Sequence, residues 1–378
     1  MTDLRTALIL TGGGARAAYQ VGVLKAISEF LPEPHRNPFP ILCGTSAGAL
    51  NAASMAAAAE DFGTGVDNLL RIWGNFSAHQ VYRADAAGIG VAGARWLSTL
   101  ALGWLTRRAP RSLLDNAPLR KLLSETVDFG RIAQAIESRA LHSVSITCSG
   151  YSSGQSVSFF QGRAGLEPWR RSQRVGAASE ISLDHLMASS AIPFIFPAVL
   201  INREWFGDGS MRQVAPVSPA IHLGAEKILV IGAGRMADEN ARPQGAVYPS
   251  LAQIAGHALS SIFLDSMSVD LERMSRINRT LSLIPESVRR QNGTPLRSIE
   301  VLVIAPSQRL DHLAARYAQS LPWAVRALLR GIGAMNPNGG ALTSYLLFEK
   351  PYTRTLIDLG YADTAARREE VCRFLGLS

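Results

Sequence analysis

Short apolar runs alternate with longer amphipathic stretches along most of this chain. That alternation predicts an α/β protein, with a sheet covered by helices on both faces. Ala7–Thr11 is a strand-like run ending in Gly12-Gly13-Gly14, and a helix is predicted over 17–30. Pro40–Cys43 predicts a short buried strand, followed by a helix over 47–59. From 60 to 140 the pattern is mainly helical. Ser143–Cys148 and Gln155–Phe160 alternate in the manner of two strands flanking a polar turn. Leu183–Ser189 predicts a short helix ended near Pro193, and Ala198–Phe206 an extended strand pair leading into Gly207-Asp208-Gly209. Lys227–Ile231 and Ile299–Ile304 are further strands, with one long amphipathic helix over Leu251–Asn278 between them. The remainder is helical, including a basic amphipathic piece around Trp323, Val325, Arg326, Leu329 and Arg330.

One stretch raises the question of a membrane. Ala86–Leu105 is apolar for twenty residues apart from Arg95, and Arg107, Arg108 and Arg111 follow it. That meets the length of a transmembrane helix. An arginine near mid-span, however, costs about 2.5–3.5 kcal/mol on insertion. A single crossing here would also separate Ser46 from Asp208. The expectation is a buried or interfacial helix, with Trp96, Leu97, Leu100 and Trp104 on one face.

The chain has 378 residues, 47% hydrophobic and 18% charged, which is ample for a large core and excludes global disorder. No linker, repeat or low-complexity tract divides it. A formal charge of +8 attracts polyanions. No zinc-ligand spacing, long Lys/Arg run or aromatic-plus-basic signature points to nucleic acid, so an anionic membrane is the expected partner surface. Cys43, Cys148 and Cys372 are too few for a disulfide framework and suit a reducing compartment. No signal peptide is recognisable, so a cytoplasmic location is expected, with peripheral contact at the inner face of the membrane.

Chemistry enters at Gly44-Thr45-Ser46-Ala47-Gly48, a G-x-S-x-G pattern between a predicted strand and a predicted helix. Such a turn lifts the serine hydroxyl to where a base and a substrate both reach it, at a helix N-terminus that favours developing negative charge. The pattern alone is weak, because Gly150-Tyr151-Ser152-Ser153-Gly154 matches it too. That second copy lies between two strands with no helix after it, and reads as a hairpin turn. Upstream, Gly12-Gly13-Gly14-Ala15-Arg16 offers a nest of backbone amides suited to an oxyanion. The same glycines match a dinucleotide fingerprint, which would make the chain a non-catalytic nucleotide-binding regulatory module. The acidic ribose ligand expected after the second strand is missing, since that strand ends in Cys43-Gly44-Thr45-Ser46. For the base, a Ser-Asp-His order would require His222, His257 or His312, as in a soluble carboxylesterase. Asp208, held between two glycines, could instead bond Ser46 directly. On the residues alone, that reading and a plain Asp-Gly turn are equal.

These glycine, serine and aspartate segments, in this order and spacing, resemble the patatin-like phospholipase family. Asp208-Gly209-Ser210 supplies its aspartate motif, and Met187-Ala188-Ser189-Ser190-Ala191-Ile192-Pro193 with Phe196-Pro197 is similar to the segment before it. The resemblance covers about residues 5–235, the motif core of a catalytic domain expected over 5–310. Residues 311–378 are expected to form a helical extension packed on the same domain. The resemblance implies a three-layer α/β/α sandwich and a Ser46–Asp208 dyad without histidine. It further implies an oxyanion hole from Gly12, Gly13 and Gly14 with Arg16 nearby, and hydrolysis of acyl esters in phospholipids or related lipids, with no metal or cofactor. Ala17 stands where the family usually has glycine, and Ser210 where it has glycine or alanine; neither change removes a functional group.

Overall fold

A computed structural model of the chain describes residues 5–84, 112–234, 251–262, 266–291, 296–331, 333–335 and 340–377. Ten strands form one mixed sheet: β1 Thr6–Leu10, β2 Ile41–Thr45, β3 Ser143–Gly150, β4 Ser156–Gly162, β5 Trp169–Arg171, β6 Arg174–Ala178, β7 Val199–Ile201, β8 Glu204–Asp208, β9 Lys227–Ile231 and β10 Glu300–Ile304. The main order is β10-β9-β1-β2-β3-β4-β6-β5, with β8 paired to β3 and β7 to β8. β10, β9, β1, β2 and β3 are parallel. β4 reverses the direction at β3.

All residues of β1, β2 and β3 are buried; β1 and β2 accordingly read as near-continuous apolar runs, whereas β3 alternates Ser or Thr with apolar residues although both its faces are covered. Alternate side chains still serve two cores. Leu8, Leu10, Leu42, Val144 and Ile146 face a large core closed by helices α1 (Ala18–Phe30), α2 (Ala47–Ala57) and α3 (Phe62–Trp73). Ala7, Ile9, Ile41, Cys43, Ile228 and Val230 face a smaller core, closed by residues of α5 (Ser218–His222) and by Met267 and Met274 of α7 (Ser266–Ser282). Helices thus lie on both faces of a mixed sheet, the three-layer arrangement expected. The short helix α4 (Leu183–Ser189) packs against β3, β7 and β8.

Of the long helix expected over 251–278, the structure describes α6 (Leu251–Ser260) and α7, and residues 263–265 between them lie outside the described residues. Two details differ from the sequence pattern. The helix after the glycines starts with a tight turn over Gly14–Ala17 before α1 proper. The hairpin β5–β6 was not expected from its half-exposed, arginine-rich strands, which lack clean alternation. The apolar stretch 86–105 lies outside the described residues. In the basic piece, Ala324, Val325 and Leu329 are buried, while Trp323 is exposed.

The C-terminal helices α8 (Gly340–Leu346) and α9 (Lys350–Ala365) pack on the large-core side of the sheet. α9 lies along α1, and Tyr19 of α1 donates its hydroxyl to Asp363 at 3.0 Å. α8 reaches further, to the glycine loop itself.

Candidate active site

The register of β3 brings Ser46 and Asp208 together. β2 follows β3 from Ile41 opposite Ser143 to Thr45 opposite Thr147, and there it ends. β3 continues to Gly150, and along this overhang β8 replaces β2 as its neighbour, antiparallel, with Cys148 opposite Asp208. Two strands therefore run towards each other along one edge of β3 and end head to head. Ser46 follows one and Asp208 ends the other. The Ser46 hydroxyl donates to Asp208 Oδ2 at 2.6 Å. Ser46 is 2% exposed and Asp208 1% exposed.

The backbone of Ser46 is strained, at φ 54° and ψ −130°. A non-glycine residue there costs on the order of 1–3 kcal/mol and persists only when its surroundings over-determine it. Those surroundings are visible. The Ser46 amide donates to Ser189 Oγ at 2.9 Å, and the Ser189 hydroxyl donates to the Thr147 carbonyl at 2.7 Å. The Ser46 carbonyl accepts from Ala49, starting α2. Ser46 occupies the N-cap position of α2, yet its side chain makes no capping bond, which leaves the hydroxyl to Asp208. Gly48 is required by contact: a Cβ there would lie 2.2 Å from the Leu10 carbonyl oxygen, so the turn presses against the end of β1.

Asp208 is fixed on three sides. Its amide donates to the Ala191 carbonyl at 3.0 Å, Oδ1 accepts from the Ser210 amide at 2.9 Å, and Oδ2 accepts from Ser46. Burial pushes its carboxyl up to about 6 from the ordinary 3.8, and the bonds from Ser46 and Ser210 hold it from rising further. A carboxylate with a proton affinity so close to neutral is suited to general-base work.

The glycine loop leaves the end of β1 beside this pair. The amides of Gly12, Gly13 and Gly14 donate to no acceptor among the described residues. Gly14 has φ +55°, and a Cβ on it would lie 2.3 Å from the Tyr345 carbonyl oxygen of α8. Arg16 is buried, but its guanidinium turns to α8: Nε donates to Ser344 Oγ at 2.8 Å, and the group stacks 4.0 Å from the Tyr345 ring centroid. A buried amide chain ties the loop to α2. Gln20 Nε2 donates to the Thr11 carbonyl at 2.8 Å, Asn51 Nδ2 to Gln20 Oε1 at 2.9 Å, and Trp73 Nε1 to Asn51 Oδ1 at 2.8 Å.

The histidines lie elsewhere. His222 stacks on Trp169 at 4.7 Å, and burial with neighbouring arginines pushes it down to about 4. His257 is exposed on α6 and His312 lies on the helix Leu310–Tyr317. None of the three hydrogen-bonds to Ser46 or Asp208 among the described residues. The second G-x-S-x-G copy is a turn between β3 and β4, closed by Glu204 Oε1 accepting from the Ser152 and Ser153 amides.

Sequence reasoning gave no role to Ser189, Gln20, Asn51, Ser344 or Tyr345. Ser189 lay in a segment singled out by resemblance; the others carry no local signal. On the face of β8 opposite the Asp208 side chain runs an apolar row. Trp205 of β8 faces Leu200 of β7, the Tyr151 amide donates to the Trp205 carbonyl, and all three side chains are half-exposed. Phe194, 76% exposed, follows the Ala191–Ile192 segment that holds the Asp208 amide.

A strained strand-to-helix serine, hydrogen-bonded to a buried carboxylate in a mixed α/β sheet, defines an α/β protein of the nucleophile-elbow kind. The chain belongs to the patatin-like phospholipase family, whose profile matches residues 8–221. A curated relative, described as a cGAMP-activated phospholipase from Pseudomonas aeruginosa (strain BWHPSA011 / Pa011), is 28% identical over 226 residues. The match takes in 59% of this chain and 58% of that protein, so the chain spans little more than half the relative's length. Among solved structures, VipD from Legionella pneumophila aligns with a TM-score of 0.35 and 13% identity, over 94% of this chain and 67% of that one. ExoU of Pseudomonas aeruginosa, solved with SpcU, aligns with a TM-score of 0.27 and 14% identity, over 97% and 78%.

Proposed function

We propose that the protein hydrolyses acyl esters of phospholipids or related lipids through Ser46 and Asp208. The observation that carries this reading is the 2.6 Å hydrogen bond from Ser46 to Asp208 at a strained strand-to-helix turn. As Ser46 Oγ attacks the ester carbonyl carbon, its proton passes to Asp208 Oδ2 and the carbonyl π pair moves to oxygen. The amides of Gly12, Gly13 and Gly14, which donate to no acceptor among the described residues, are the donors for that oxyanion. Arg16 acts on the loop from behind, through α8. The intermediate collapses with loss of the alcohol, which takes the proton from Asp208 and leaves an acyl-Ser46 ester. Water then attacks this ester, gives its proton to Asp208, and the fatty acid departs as Ser46 regains its hydrogen.

The lipid class is supported by family membership and by the exposed apolar side chains of Tyr151, Phe194, Leu200 and Trp205. Exposed aromatic and apolar side chains in a group suit contact with a lipid surface. Among the described residues no helix is long and apolar enough to cross a membrane, so contact of this kind is peripheral in the proposal. Because the relative is described as cGAMP-activated, we extend the proposal to control by a soluble nucleotide.

A lipid-panel hydrolysis assay on the wild type, Ser46→Ala and Asp208→Asn tests the chemistry. Fatty-acid release is expected from the wild type alone, together with fluorophosphonate labelling at Ser46. Full activity in Asp208→Asn would overturn the dyad. The same assay with and without cGAMP tests nucleotide control.

A further inference from the structure

β1, β2 and β3 are parallel, so the ends of these strands remote from Gly12–Gly14 and Ser46 share the opposite edge of the sheet. That edge holds a cavity of about 940 Å³. Its walls come from the segment before β1, the α1–β2 connection, the segment before β3, the turn after β4, and the C-terminal residues Leu375–Leu377. The volume lies at the upper end of the range for small-molecule sites, far beyond what a single phosphate fills.

The charges in it are unbalanced. Arg5, Arg36, Arg139 and Arg163 line it, against Glu33 and Glu60. Of the two histidines on the wall, His35 pairs with Asp61 at 2.9 Å, and His142 sits 3.5 Å from Arg5 Nη1. Burial, with the guanidiniums of Arg5 and Arg163 beside it, holds His142 below the ordinary imidazole range, and an imidazole supplies no negative charge in either protonation state. No carboxylate pairs with Arg5, Arg139 or Arg163 among the described residues. Arg163 Nη2 donates to the Arg139 carbonyl at 2.9 Å, while its Nε is buried with no hydrogen-bond partner. An unpaired, buried guanidinium donor is costly, and an anionic oxygen supplies what it lacks. Guanidinium forks match phosphate oxygens two at a time.

The arginines enter from three separate strand ends, and Leu31, Pro32 and Leu375 give the cavity apolar wall between them. We propose that this cavity binds a soluble, nucleotide-sized molecule carrying two phosphate groups. The phosphates engage Arg5 and the Arg139–Arg163 pair, and the apolar wall takes the flat body. β2 begins beside Pro40 on the cavity wall and ends beside Ser46, five residues or about 17 Å along. A ligand that orders the start of β2 therefore acts on the strand that carries the serine turn. Control of hydrolysis from this site rests on the acyl-hydrolase reading; binding itself does not.

Isothermal titration of the full chain with ADP, and separately with cGAMP, tests the site. Thermal melts show that each variant is folded. At least one probe is expected to bind, more weakly as salt rises. Arg5→Ala and Arg163→Ala are each expected to weaken binding by at least about tenfold, with Arg163→Lys intermediate. Ser46→Ala should bind as the wild type does, and so should Arg326→Ala, a change in a distant helix. Absence of binding of both probes below about 1 mM overturns the proposal, as does unchanged affinity in folded Arg5→Ala and Arg163→Ala. Arginine-dependent binding seen only with phosphatidylglycerol vesicles overturns it in favour of a lipid headgroup. Intact binding with no hydrolysis of any lipid would count against the hydrolase reading and leave the binding site standing.

Discussion

Asp208 and Ser46 are 162 residues apart in sequence and 2.6 Å apart at their oxygens, because β8 takes the place beside β3 that β2 gives up at Thr45. Asp208→Asn keeps the shape of this contact and removes the base of the proposed mechanism. Hydrolysis is expected to fall by roughly 10²- to 10⁴-fold, the usual contribution of a positioned acid–base group. The same variant should be more stable at pH 7, by up to about 3 kcal/mol, because a buried charge raised from 3.8 to about 6 is no longer held out of water. Lipid hydrolysis and thermal melts on one preparation check both signs.

The pH profile follows from the same group. Asp208 accepts a proton only as the carboxylate, so kcat/KM is expected to rise with pH through about 6 and then level off. Stability runs the other way. The folded-state value is raised, so the contribution of Asp208 is fully present below its unfolded value near 3.8 and is lost as pH rises through about 6. In Ser46→Ala the carboxylate loses a hydrogen bond that lowers its proton affinity, and the stability step should move to higher pH. Melts across pH 4–8 with wild type and Ser46→Ala read this directly.

In the proposed mechanism Ser189 is a positioning residue. Its hydroxyl accepts from the Ser46 amide and donates to the Thr147 carbonyl, linking the strained turn to β3. Ser189→Ala leaves two buried backbone groups unpaired, at about 1–3 kcal/mol each. Activity should fall mainly in kcat with KM nearly unchanged, since no substrate contact is removed. An equal loss in a Ser189→Thr variant that restores the melting temperature would show that the hydroxyl does not act through Ser46.

Gly14 tests the contact between the glycine loop and α8. Gly14→Ala places a methyl group against the Tyr345 carbonyl at a backbone angle alanine rarely adopts, and both stability and hydrolysis should drop sharply. Gly165→Ala is the control: φ is positive there as well, at +94°, but nothing lies within 4 Å, so only the conformational cost of about 1 kcal/mol should appear. Comparing melts of the two variants separates contact from backbone strain.

Asn51→Leu breaks the amide chain between the glycine loop and α2. It leaves Gln20 Oε1 and Trp73 Nε1 buried without their partner, which should cost about 2–4 kcal/mol. Asn51→Asp, which keeps an acceptor for Trp73, should retain more of the folded signal in a denaturant titration.

Much of this protein was determined locally. β1, β2 and β9 are short apolar runs because parallel strands buried on both faces need nothing else, and the turn at Ser46 shows in its glycines because they must clear Leu10 and α2. The serine's setting between strand and helix, which set it apart from Ser152, is likewise a property of neighbouring residues. Tertiary structure decided the rest. Whether Asp208 is a turn residue or the partner of Ser46 depends on how far β3 outruns β2, a pairing between distant strands that no local pattern encodes. Arg16 reads as a neighbour of the glycine loop, yet its guanidinium is taken by Ser344 and Tyr345 of a helix more than three hundred residues away. The arginines of the far cavity are scattered over the sequence as ordinary surface charges. Only the sheet gathers them at one edge: parallel β1, β2 and β3 all start there, and antiparallel β4 ends there, just before Arg163.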